Sequence, residues 1–280
     1  MAINWFPGHM AKTRREIKEN LKLVDAVIEI RDARIVRSSK NPDVDDICGN
    51  KPRVILLNKS DLCEEKITKE WIKSLSTENI RVIGVNCITG EGLRNIKPLL
   101  NDLLKEKHER MKNKGIVKIV DRVMVVGIPN VGKSSFINKM AKSNIAKTGD
   151  KPGVTKSRRW IKTKLDIELM DTPGILWPKL ESEETQINLA FTGAIKDEIL
   201  DIEGLALRLI EELQKNYGDR LMTRYKLQEL SEDPLENMNN IGRKRGAVIS
   251  GGEIDYNRVA VMLLDEFRGG KLGPISLERP

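Results

Sequence analysis

The sequence predicts an α/β domain with a mostly parallel sheet and helices on both faces, followed by an all-helical C-terminal domain. Three observations carry this reading. Short β-branched runs, Ala26-Val27-Ile28-Glu29-Ile30, Arg53-Val54-Ile55-Leu56-Leu57, Ile80-Arg81-Val82-Ile83-Gly84-Val85 and Val123-Met124-Val125-Val126, alternate with stretches of helical periodicity, as parallel strands joined by crossover helices do. Several of these runs open into loops of polar residues and glycines, the place where open α/β sheets carry their sites. From Pro178 the apolar residues recur at helical spacing. The expected division is therefore 1–178 and 179–280.

A chain of 280 residues suits two moderate domains, each with its own core. The net charge of +8 favours a polyanionic partner by Coulomb attraction, nucleic acid or an anionic membrane surface being of the fitting kind. Cys48, Cys63 and Cys87 are dispersed, with no C-x-x-C pair to suggest zinc or a disulfide frame, so reduced thiols are expected. No apolar run is long enough to cross a bilayer, and Met1-Ala2-Ile3-Asn4 lacks the features of an export signal. A cytoplasmic protein with no membrane partner is expected.

Residues 8–23 place Lys12, Arg14, Arg15, Lys18 and Lys22 around Ile17, Leu21 and Val24, an amphipathic basic helix. Its lead-in, Trp5-Phe6-Pro7-Gly8-His9-Met10, contains His9, either a surface residue or one placed for function. The first strand runs into Arg31-Asp32-Ala33-Arg34, and residues 38–49 read as a loop. The second strand delivers Asn58-Lys59-Ser60-Asp61, an N-K-x-D tetrapeptide. Asp61 can accept the two hydrogens that guanine presents from N1 and N2, which adenine lacks, and a carboxylate left unpaired against adenine is costly. Asn58 would tie this pocket to a phosphate loop, and the stem of Lys59 would pack on the base. Taken alone, the tetrapeptide could instead cap the helix expected over 64–75, a reading that the phosphate loop elsewhere in the chain disfavours.

The third strand ends in Asn86-Cys87-Ile88-Thr89-Gly90-Glu91-Gly92, where the Asn86 and Cys87 backbone could approach the guanine carbonyl. An apolar stripe over 93–108 predicts a helix, with 109–115 as a linker or helix end and His108 solvated. The fourth strand opens into Gly127-Ile128-Pro129-Asn130-Val131-Gly132-Lys133-Ser134, spaced G-x-x-x-x-G-K-[ST], with Ser134 and Ser135 opening a helix expected to run to Ala141. In such a loop backbone N–H groups wrap the phosphates, the lysine reaches the outer ones, and the serine ligates Mg²⁺. Thr155, in Pro152-Gly153-Val154-Thr155, could bring its hydroxyl to Mg²⁺ and its N–H to the γ-phosphate. Residues 159–163 and 167–170 alternate as a hairpin does, and the second arm ends in Asp171-Thr172-Pro173-Gly174. In this D-x-x-G segment Asp171 would orient the water shell of Mg²⁺ and the Gly174 N–H would sense the γ-phosphate. Beyond it, stripes over 202–213 and 255–267 flank the basic run 242–246, read as a loop that is either a solvated face or a phosphate contact.

A small GTPase usually presents these motifs in the order phosphate loop, threonine, D-x-x-G, N-K-x-D, base loop. Here N-K-x-D and the base loop come first. The order predicts a circularly permuted Ras-like P-loop GTPase domain, a rearrangement that a compact sheet with neighbouring termini tolerates. The helical domain then follows directly on the D-x-x-G segment.

The opening Trp5-Phe6-Pro7-Gly8-His9-Met10-Ala11-Lys12, together with Arg31-Asp32-Ala33-Arg34, N-K-x-D, the phosphate loop, Pro152-Gly153-Val154-Thr155 and D-x-x-G, resembles the ribosome biogenesis GTPase A family, also called YlqF. The resemblance implies a GTPase that binds the precursor of the large (50S) ribosomal subunit through rRNA in late assembly, hydrolysis being coupled to release. It also implies a C-terminal helical domain that contributes to RNA binding. A protein monomeric off the ribosome is expected. Two alternatives stay open: a GTPase acting on another RNA or on a small-subunit precursor, and a non-hydrolysing RNA-binding module stabilised by nucleotide.

The residue after D-x-x-G is Ile175, which cannot hydrogen-bond a water. The family's N-terminal motif implies a catalytic histidine, and His9 stands at the matching place. Asn130 matches the asparagine that coordinates K⁺ in related potassium-activated GTPases. Candidate catalytic residues are thus His9, Lys133 and Thr155. Nucleotide contacts are expected from Asn58, Lys59, Asp61, Asn86, Cys87, Asn130, Val131, Gly132, Lys133, Ser134, Ser135, Thr155 and Gly174. Mg²⁺ falls to Ser134, Thr155 and, through water, Asp171; K⁺ falls to Asn130.

Overall fold

The seven residues Ala26–Asp32 are all buried, and their β-branched run makes the strand β1 a central one. The computed structural model describes residues 15, 17–141, 160–172 and 182–280. Its sheet has six strands, β1 (Ala26–Asp32), β2 (Arg53–Asn58), β3 (Ile80–Val85), β4 (Asp121–Val126), β5 (Trp160–Lys162) and β6 (Ile167–Asp171), in the order β3-β2-β1-β4-β6-β5. All neighbours are parallel except β5 and β6, which form the expected antiparallel pair. The strand feeding the phosphate loop is fourth in sequence yet lies inside the sheet, beside the strand that comes first.

Residues 17–21 are helical, and Ile17, Leu21 and Val24 pack with Val27, Met124, Val126 and Met170 against one face of the sheet. Helix α1 (Val44–Cys48) joins the same cluster. This corrects the loop expected over 38–49: Val44 and Cys48, four residues apart, share one buried helix face. Helix α2 (Glu65–Leu75) places Ile67 and Trp71 in a second cluster with Ile55, Leu57 and Val82.

The stripe over 93–108 is broken into a 3₁₀ turn and two helices, α3 (Ile96–Leu103) and α4 (Lys105–Asn113), because Leu104 takes a non-helical conformation with φ −106°. His108 is not solvated. Its Nε2 lies 2.7 Å from Oδ1 of Asp121, which is fully buried at the start of β4 and also accepts from Lys97 Nζ at 2.8 Å. This cluster joins α3 and α4, the connection that permutation requires, to the strand before the phosphate loop. Helix α5 (Lys133–Met140) completes the phosphate-loop unit.

The chain divides into two compact units, the first made of Met1–Glu181 with Ser276–Pro280 and the second of Ser182–Ile275. The second unit contains α6 (Glu183–Phe191), α7 (Ile202–Tyr225), α8 (Pro234–Arg245) and α9 (Tyr256–Arg268). All four begin on capping side chains, Ser182, Asp201, Asp233 and Asp255, each accepting a backbone N–H of the first turn. Leu209, Leu213, Leu263 and Phe267 are buried in its core. The basic run 242–246 is not a loop: Gly242 to Arg245 complete α8, and Gly246 at φ 64° terminates it. Three cations in a last turn suit the negative end of the helix dipole.

Candidate functional site

The carboxyl edge of the parallel strands gathers the described candidates into one rim. Asn58 ends β2, Asn86 follows β3, the phosphate loop follows β4, and Asp171 ends β6. The loop itself is shaped by two glycines. Gly127 has φ 157°, and a Cβ there would meet the Ile30 carbonyl oxygen at 2.8 Å; Gly132 has φ 104°, and a Cβ there would meet Asn58 Nδ2 at 2.2 Å. Neither position admits another residue without moving backbone or the asparagine.

Asn58 links both flanking loops. Its Nδ2 donates to the Val131 carbonyl at 2.7 Å, and its Oδ1 accepts the Cys87 N–H at 2.9 Å. The Cys87 N–H is thus engaged within the protein, and its thiol is buried and pushed up to about 12 by burial. The Asn86 Oδ1 accepts the N–H groups of Ile88 and Thr89 at 2.8 and 2.9 Å, closing the turn of the base loop.

Lys59 sits at φ 58° and directs its Nζ to Asp32 Oδ2 at 2.9 Å and to the Asn130 carbonyl at 3.5 Å. Asp61 lies exposed in the 3₁₀ turn Ser60–Leu62. Asp32 and Arg34 were not among the expected site residues. The sequence signals for them are their place at the end of the first strand run and within the Arg31-Asp32-Ala33-Arg34 motif; the structure sets Asp32 level with Asn58 in the sheet register.

Lys133 closes over its own loop, donating to the carbonyls of Gly127 at 3.0 Å and Ile128 at 2.8 Å. Burial depresses its pKa to about 8 against the opposing attraction of Asp171. Burial also raises the Asp171 carboxyl, which the Lys133 ammonium partly offsets. Thr172 Oγ1 donates to the Val125 carbonyl at 2.6 Å, pinning the start of D-x-x-G to β4. Ser134 is exposed in the first turn of α5, with Ser135 beside it. His9, Thr155 and Gly174 lie outside the described residues.

Ser134 and Asp171 offer oxygen donors of the kind Mg²⁺ takes. Among the described residues no three His, Cys, Asp or Glu side chains gather into a metal-holding group. The helix start at α5 with its glycine loop fits an anionic phosphate chain.

Residues 122–233 match the family model for the 50S ribosome-binding GTPase. Over its full length the chain is 48% identical to ribosome biogenesis GTPase A of Bacillus licheniformis, 99% of which is covered. The chain belongs to the ribosome biogenesis GTPase A family. It is a GTPase and binds guanine nucleotide. It is also 33% identical to mitochondrial ribosome-associated GTPase 1 of Bos taurus, the match covering 98% of this chain and 88% of that protein. The crystal structure of GNP-bound YlqF from T. maritima superposes with a TM-score of 0.64 at 28% identity, over 96% of this chain and 98% of that one. The permuted fold expected from motif order is thus the fold of a solved family member. Among the described residues no helix is long and apolar enough to cross a membrane.

Proposed function

We propose that this GTPase acts in ribosome assembly by binding the precursor of the large subunit through rRNA, GTP hydrolysis being coupled to its release. The observation that carries the nucleotide side is the pair of hydrogen bonds made by the Asn58 amide, donated to Val131 and accepted from Cys87, which makes the N-K-x-D strand end, the phosphate loop and the base loop one connected rim. The net charge of +8 and family membership support the ribosomal side.

In this reading Asp61 pairs with the guanine edge, Lys59 lays its stem along the base, and Asn86 and Cys87 shape the loop beside it. Lys133 leaves the carbonyls of Gly127 and Ile128 for the outer phosphates, where its charge offsets theirs. The N–H groups of Asn130 to Ser135 wrap the phosphate chain. Ser134, Thr155 and, through water, Asp171 hold Mg²⁺, which when bound neutralises phosphate charge. Asn130 holds K⁺ in the same reading. His9 orients the attacking water, a task Ile175 cannot perform, and Thr155 and Gly174 sense the γ-phosphate. The protein acts in the cytoplasm and is monomeric off the ribosome.

Co-sedimentation with purified subunits, titrated with salt in GDP and in a slowly hydrolysed GTP analogue, tests this. Binding to large subunits that is stronger with the analogue and weakens with salt is expected. Preference for small subunits, or nucleotide-independent binding without stimulated phosphate release, overturns the reading.

A further inference from the structure

Lys59 holds the left-handed conformation at φ 58°, uncommon for a lysine, and its ammonium is tethered 2.9 Å from Asp32 Oδ2. Asp32 is buried and is otherwise filled by Arg34, which donates its backbone N–H and its Nε to Oδ1 at 3.1 and 2.9 Å and its Nη2 to Oδ2 at 2.8 Å. Burial works to raise the Asp32 carboxyl, but Arg34 and Lys59 outweigh it and hold the group below the usual carboxylate range. Asp32 thus remains an anion to which Lys59 is bound.

Ser276–Pro280 bonds across this arrangement. Ser276 Oγ accepts the Glu64 N–H at 3.2 Å and lies 3.1 Å from Cys63 Sγ, just beyond N-K-x-D. The Leu277 N–H donates to the Arg34 carbonyl at 3.0 Å. The Glu278 carboxylate accepts the Ser38 N–H at 3.0 Å and also the Ser38 hydroxyl and the Arg37 N–H. Trp71 Nε1 in α2 donates to the Glu278 carbonyl at 3.4 Å. The segment therefore ties the loop after β1 to the segment after β2, the two strand ends that meet at Asp32 and Lys59.

We propose that Ser276–Pro280 is a strap that positions the base-recognition loop, with Glu278 and Asp32 as positioning residues, and that loosening it speeds release of guanine nucleotide. This rests on the reading of Asn58 to Asp61 as the base-recognition segment. Charge-assisted bonds to backbone N–H groups are among the stronger hydrogen bonds, so Glu278 is the main fastening. Because the strap follows Ile275, the last residue of the helical unit, an RNA held by that unit gains a covalent handle on nucleotide release.

The test is stopped-flow dissociation of fluorescent GDP from the full chain, with GDP and ADP affinities measured alongside. Glu278→Ala should speed GDP dissociation about tenfold, the scale of one lost hydrogen bond to a charged group. Association should stay nearly unchanged, and Glu278→Gln, which keeps an oxygen acceptor, should recover part of the loss. The preference for GDP over ADP should narrow, a change that general loss of structure would not produce. Should Glu278→Ala fail to fold, Ser276→Ala, which removes one hydroxyl, should shift both readouts in the same direction. Folded variants that release GDP at the parental rate with full preference overturn the strap. A parental chain that fails to bind GDP overturns the functional reading instead.

Discussion

Asn58 donates from Nδ2 to the carbonyl of Val131 at 2.7 Å, so the residue that opens N-K-x-D also shapes the phosphate loop. Asn58→Ala would leave the Val131 carbonyl and the Cys87 N–H without their partner. Two buried groups unsatisfied at about 1–3 kcal/mol each predict at least a tenfold loss of GDP affinity together with a lower melting temperature. Equilibrium titration with fluorescent GDP checks the first; parental affinity in the variant would show that the bridge does not shape the site.

Lys133 provides a proton-linked prediction. In the empty loop its pKa is about 8, whereas a phosphate partner favours the ammonium form. The bound state therefore holds more protons than the free one, and affinity for GDP falls as pH rises through 8. Calorimetry at pH 8 in buffers of different ionisation enthalpy should show uptake of about half a proton per GDP. Lys133→Met should abolish that uptake.

The assignment of His9 to the attacking water predicts a split between binding and turnover. His9→Ala should lower ribosome-stimulated GTP turnover about a hundredfold while GDP affinity holds. Unchanged stimulated turnover rules out the role. In the same assay, exchanging K⁺ for Na⁺ should slow turnover, and Asn130→Ala should remove the difference between the two ions.

The Asp121 cluster predicts a stability effect separate from the nucleotide site. Its carboxyl is fully buried; burial works to raise its pKa, but Lys97 and His108 prevail and lower it. A depressed carboxylate stabilises the fold above its unfolded pKa, and that contribution is lost as pH falls through the folded value. Asp121→Ala leaves Lys97 and His108 without it and should cost about 3 kcal/mol in urea unfolding at neutral pH. The deficit should shrink in acid, and GDP affinity of the folded variant should be unchanged.

The phosphate loop and N-K-x-D were legible because their chemistry is local: glycine spacing, a lysine and a carboxylate at fixed offsets after apolar strands. Their order also announced the permutation, and the strand runs foretold a mostly parallel sheet; that the fourth strand lies inside it only the structure shows. His108 was misread because its partner, Asp121, stands on another element, and no periodicity reports such a pairing. The basic run 242–246 was misread because charge alone does not separate a loop from the last turn of a helix; Asp233 and Pro234 at the start and Gly246 at the end decide it. Ser276–Pro280 was beyond reach for a further reason. Its bonds join residues more than two hundred positions apart, as between Ser38 and Glu278, which only the fold brings to 3.0 Å.

The split composition of the first unit sets an order of events during synthesis. Residues 276–280 leave the translating ribosome only after the whole of 182–275, so the nascent sheet and its phosphate loop exist for a time unfastened. A newborn chain in that interval should exchange nucleotide freely, and it acquires its mature grip only when the helical unit has been made.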